Sequence, residues 1–87
     1  MSLYANFEPK EGTVTAEETL TYNLNYREFL LINDSLTENL LFKFNQTEDF
    51  GTLKPDEQVS LKISHRTVIL KSSDGVATAT YRVWGIG

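Results

Sequence analysis

The feature that most constrains this chain is a hydropathy period of two. From Thr19 to Tyr26, Leu20, Tyr22, Leu24 and Tyr26 alternate with Thr19, Thr21, Asn23 and Asn25. Successive side chains of an extended backbone point to opposite faces, so this pattern gives a strand with one apolar and one polar face. Gln58 to Ser64 repeats it, with Val59, Leu61 and Ile63 set against Ser60, Lys62 and Ser64. Asn39 to Asn45 does the same, with Leu40, Phe42 and Phe44 against Leu41, Lys43 and Asn45. No segment shows the 3.6-residue spacing of an amphipathic helix.

The remaining segments extend this reading. Phe29-Leu30-Leu31-Ile32 is apolar at every position and runs into Asn33-Asp34-Ser35, as expected of a central strand covered on both faces and ending in a polar turn. In Leu53-Lys54-Pro55-Asp56-Glu57, proline presets φ at the second position of a tight turn, which predicts a reversal. Thr67 to Lys71 is β-branched and apolar and leads to Ser72-Ser73-Asp74-Gly75. The Asp-Gly pair predicts a hairpin whose return arm is Val76 to Trp84. Tyr4 to Thr15 offers one short strand around Thr13 to Thr15, with its first half as coil or a sheet edge.

Turn signals at this spacing predict an all-β fold, a small antiparallel β-sandwich or partly open barrel of about six to eight strands. A chain of 87 residues has room for a single domain, 1–87. The expected core between the sheets is Leu20, Leu24, Leu40, Phe42, Leu61, Ile63 and Tyr81.

Composition narrows the function classes. With no cysteine, disulfides, zinc-thiolate sites and thiol nucleophiles are excluded. The net charge is −4 and the basic residues are scattered from Lys10 to Arg82, so no basic stripe exists to track a phosphate backbone and no nucleic-acid partner is expected. The stretch Met1 to Glu8 has neither the positive nor the apolar region of a secretory signal. The apolar run Phe29 to Ile32 falls far short of the roughly 20 residues of a spanning helix, so neither secretion by a signal peptide nor membrane insertion is expected. Asn33-Asp34-Ser35 and Asn45-Gln46-Thr47 have the form of glycosylation triplets but read as turn chemistry.

No set of residues predicts catalysis. His65, the one histidine, has no second histidine or cysteine to complete a base or metal constellation and reads as a polar residue in a strand-to-strand turn. The pairs Glu17-Glu18, Glu48-Asp49 and Asp56-Glu57 supply carboxylates, but neighbours in a strand face opposite ways and such pairs in loops serve solubility. Asn33, Asp34, Ser35 and Glu38 bring several hard oxygen donors into one loop, yet their spacing matches no calcium loop, and bonds from the side chains to nearby backbone N–H groups explain them more simply. There is no nucleophile elbow and no glycine-rich phosphate loop. The expectation is a protein that is not an enzyme and holds neither a cofactor nor a metal.

Ten aromatic residues remain, most of them on apolar faces and accounted for by core packing. Trp84 is the exception. Alternation from Ala77 puts it with Thr78, Thr80 and Arg82 on the polar side, away from Tyr81 and Val83. Two readings fit: it meets a partner together with Thr80 and Arg82, or a bulge near Trp84 turns it inward to plug the sandwich.

Three stretches, Phe29 to Ser35, Thr52 to Glu57, and Tyr81-Arg82-Val83-Trp84-Gly85-Ile86-Gly87, resemble small structural proteins of tailed phages that infect Gram-positive bacteria. The resemblance implies a short β-sandwich similar to the shoulder-type domains of phage receptor-binding and baseplate proteins. It further implies a virion or accessory protein of the tail, baseplate or host-adsorption apparatus that acts by protein contact, with itself as a homo-oligomer or with other virion proteins. Its place would be the host cytoplasm during infection or the virion. The alternative is a carbohydrate-binding sandwich meeting cell-surface sugars, since Trp and Tyr on a β-face can stack against sugar rings.

Overall fold

The computed structural model describes residues 7–87. They form eight strands and no helix: β1 (Phe7–Val14), β2 (Glu18–Tyr26), β3 (Glu28–Asn33), β4 (Leu40–Lys43), β5 (Gly51–Leu53), β6 (Gln58–Leu61), β7 (His65–Ser72) and β8 (Ala79–Ile86). Two four-stranded antiparallel sheets result, ordered β1-β8-β3-β6 and β2-β7-β4-β5. The chain changes sheet at every connection except β4 to β5, the arrangement of an eight-stranded jelly roll. The sheets face each other as a sandwich and do not close into a barrel.

The period of two decides what is buried. In the first sheet Phe29, Leu31 and Asn33 of β3 and Ala79, Tyr81 and Val83 of β8 point inward; in the second Leu20, Tyr22, Leu40, Val68 and Leu70 meet them. Tyr22, Tyr26 and Phe29 pack edge to face, with centroids 5.3 to 6.4 Å apart. Gly85 makes room for them: a Cβ there would lie 2.8 Å from the Tyr26 ring and 3.2 Å from that of Tyr22. Tyr22 donates its buried hydroxyl to the Val83 carbonyl at 3.0 Å, and burial pushes its pKa up.

Of the expected core, Leu20, Leu40 and Tyr81 are buried, and Phe42, Leu61 and Ile63 pack against it while partly exposed. Leu24 is not a core residue; it is 50% exposed. Thr21 pairs with Thr67 and Tyr26 with His65, so five steps along β2 match two along β7. The surplus forms a bulge, which breaks the alternation and throws Leu24 outward while Tyr22 and Tyr26 stay inside.

Three further expectations are corrected. Asp74-Gly75 does not close a hairpin, because β7 pairs with β2 and β4 whereas β8 pairs with β1 and β3. Gly75 does take positive φ, at 71°, and Asp74 Oδ1 accepts the N–H groups of Val76 and Ala77, but this turn carries the chain between sheets. β3 is central but not covered on both sides, since Leu30 and Ile32 are only half-buried. His65 opens β7, with its ring 6.0 Å from that of Phe44, and does not lie in the turn.

The Lys54 to Glu57 reversal forms as expected, closed by the Glu57 N–H on the Lys54 carbonyl at 3.0 Å with Asp56 at φ 66°. β1 is an edge strand and far longer than Thr13 to Thr15; residues 4–6 of the uncertain segment lie outside the described residues.

Candidate functional site

Strand alternation places Thr80, Arg82, Trp84 and Ile86 on the outer face of β8, opposite Ala79, Tyr81, Val83 and Gly85, which are buried. Register supplies their neighbours. In β1, Pro9 pairs with Trp84 and Phe7 with Ile86; in β3, Leu30 pairs with Trp84 and Ile32 with Arg82. Phe7, Pro9, Trp84, Ile86, Leu30 and Ile32 thus form one apolar patch across three adjacent strands.

At its centre the Phe7 and Trp84 rings stack, with centroids 5.7 Å apart and planes 12° from parallel. Phe7 remains 58% exposed. A contiguous apolar patch on the solvent face of a sheet is not explained by the core, which lies on the other side, and such patches mark contact surfaces. The bulge reading for Trp84 is overturned: β8 keeps uninterrupted register with β1 from Ala79 to Ile86 and with β3 from Tyr81 to Ile86, so nothing turns the indole inward.

One flank of the patch is polar. Arg82 donates from Nε to Asp34 Oδ2 at 2.6 Å and from Nη2 to Asp34 Oδ1 at 3.0 Å. This fork holds the guanidinium pKa above its ordinary value. Arg82 is therefore engaged within the chain and frames the patch. Thr80 lies beyond it, opposite Thr13, its N–H bonded to Ser35 Oγ at 2.8 Å. Of the three residues singled out by sequence, the structure puts all three on one row and makes Trp84 the centre. Phe7, Pro9, Leu30, Ile32 and Ile86 were missed: Phe7 and Pro9 come beside Trp84 and Ile86 only through the pairing of β1 with β8, and Leu30 and Ile32 read as core.

The other sequence candidates have structural employment. The Asn33 amide is fully buried, donates to the Glu38 and Leu53 carbonyls at 2.8 and 2.9 Å, and accepts the Ser35 N–H at 2.9 Å. With Asp34 on Arg82 and Ser35 Oγ on Thr80, three of the four candidate oxygen donors, Asn33, Asp34 and Ser35, are already bonded within the chain. Glu48 accepts the N–H groups of Phe44 and Asn45, and His65 Nδ1 lies 3.3 Å from the Thr67 N–H. Among the described residues no group of three or more His, Asp or Glu is placed to hold a metal ion.

Searches against protein-family models and against curated protein sequences return no match to this chain.

Proposed function

We propose that this chain is a non-enzymatic binding module that meets a protein partner through the outer face of β1, β8 and β3, in the manner of a tail, baseplate or accessory component of a tailed phage. The observation that carries the reading is the stacked Phe7–Trp84 pair, an exposed Phe7 on a partly buried Trp84, at the centre of an apolar patch and flanked by the Arg82–Asp34 fork. A large aromatic in an apolar centre with a polar rim is the usual anatomy of a protein contact. Jelly rolls serve viral capsid proteins, lectins and cupins alike, so the fold is compatible with the reading by analogy only. The carbohydrate alternative is less favoured, because a sugar ring stacks on an open aromatic face and these rings each turn a face to the other.

Site-specific photo-crosslinking tests the proposal. A photoreactive residue at Ile86 should give a discrete protein adduct in infected cells or purified particles, lost on Trp84→Ala; the same probe at Thr19, on the other sheet, should give none. Equal adducts from both positions, or none from Ile86, would refute it. A glycan-array signal abolished by Trp84→Ala would transfer the face to carbohydrate.

A further inference from the structure

The two free edges of the first sheet are built differently. On β1, Pro9 has no N–H to offer, and Glu8 and Lys10 point inward beneath the strand. Glu8 accepts the Asn23 N–H and the Tyr26 hydroxyl, each at 3.0 Å, and the Lys10 ammonium sits 5.2 Å from the Tyr22 ring centroid. Proline and inward charge are the devices by which sheet proteins stop an edge from accepting another strand.

β6, at the opposite edge, has none of them. Its sequence is Gln58-Val59-Ser60-Leu61, with Lys62 and Ile63 following the strand. Its inward residues Val59 and Leu61, and Ile63 beyond them, are only partly buried, whereas Phe29, Leu31, Tyr81 and Val83 in the neighbouring strands are 6% exposed or less. Beside them opens a cleft of about 360 Å³ walled by Phe42, Phe44, Leu61 and Ile63 and bordered by Lys62 and Asp49. Among the described residues, no strand pairs with this edge.

We infer that the β6 edge pairs antiparallel with the β6 of a second copy of this chain, continuing the sheet across a two-fold axis beside the cleft. The strand is self-complementary. With the axis at Ser60, Val59 of one copy faces Leu61 of the other, Ser60 faces Ser60, and Gln58 faces Lys62. On the inner row Val59 meets Leu61, with Ile63 beyond them opposite Glu57; polar meets polar on the outer row, and no like charges stand opposite, which is the pattern that stabilises cross-strand pairs. The net charge of −4 opposes association in general, but residues 58–63 contain no carboxylate, so this is a segment where two copies can approach. The joined sheet places Val59 of the second copy beside Leu61, at the margin of the cleft. This contact is separate from the outer face and does not rest on its function.

Sedimentation velocity over a concentration series, with hydrogen exchange on the same samples, tests it. The unaltered chain should show a reversible monomer–dimer equilibrium, and the amides of residues 58–62 should exchange more slowly at high concentration. Ile63 lies past the β3–β6 ladder and in this register faces Glu57 of the second copy, so Ile63→Glu leaves the ladder in place and sets like charges opposite each other; it should weaken dimerisation by about tenfold or more. Trp84→Ala should leave the dimer intact. A chain that stays monomeric throughout the series, or a dimer lost in Trp84→Ala and kept in Ile63→Glu, overturns the inference. Should Ile63→Glu fail to fold, the exchange measurement decides: β6 amides indifferent to concentration would refute it.

Discussion

Replacing Asn33 by aspartate keeps the side chain's shape and removes its two donors. The Asn33 amide lies fully buried where β3 leaves its sheet, and it ties the carbonyls of Glu38 and Leu53 together. In Asn33→Asp those carbonyls face a carboxyl oxygen, while the Ser35 N–H keeps its acceptor. Each buried partner left without its bond costs about 1 to 3 kcal/mol, so the pair costs about 4 kcal/mol. A domain of 87 residues has about 4 to 13 kcal/mol in all, so this one atom-for-atom exchange removes a large share.

The burial of the new acid adds a signature. A carboxyl in that site has its pKa raised above the unfolded value, so the folded variant binds a proton that the unfolded chain has released. The deficit is therefore smallest below the unfolded pKa of about 3.9 and grows by up to about 1.4 kcal/mol per pH unit until the folded pKa is reached. Urea denaturation followed by far-UV circular dichroism at pH 5 and pH 7 measures both effects. A loss below about 1 kcal/mol that does not change between the two pH values would show that the Asn33 contacts do not hold the crossover.

Three further outcomes are expected. Leu61→Ala should cost about 1 to 2 kcal/mol in chemical denaturation, less than the 2 to 5 of a fully enclosed leucine, because Leu61 borders the open cleft. Asp56→Gly should raise the melting temperature, since relief of about 1 kcal/mol of left-handed strain at φ 66° exceeds the about 0.5 kcal/mol of added chain entropy. The Asn23 N–H, with help from the Tyr26 hydroxyl and Lys10, holds Glu8 below the usual carboxylate range, so its stabilisation is present above the unfolded pKa and lost as pH falls through the folded one. Glu8→Gln should therefore show a shallower decline in melting temperature under acid than the unaltered chain.

The all-β class, the two-sheet sandwich and most strand positions were legible because a period of two needs no partner to be seen. What was not legible depends on partners. The excess residues in β2 are a bulge only relative to β7, so nothing local marks Leu24 as outward. Asp74-Gly75 announces positive φ but not whether the strands on either side share a sheet. β5 has three residues and begins at Gly51, too short for a pattern. β1 hides because its inward row is Glu8, Lys10, Gly12 and Val14, charged where an inner face is normally apolar. The isolated Trp84 could be seen on its polar row, yet its setting could not, since Phe7 reaches it from the far end of the sequence.

The pairing order also sets how this chain must fold. β1 pairs with β8, β2 with β7, β3 with β6 and β4 with β5, so the sequence is one long doubled ribbon bent at residues 44–50 and rolled into two sheets. Only the β4–β5 ladder closes a short loop; every other pair brings together ever more distant segments. Topologies dominated by non-local pairs fold slowly, on a timescale of about milliseconds to seconds, because loop entropy is lost before contacts compensate for it. During synthesis β1 is made before the seven strands that follow it, and Trp84 finds Phe7 only once β8 has been made.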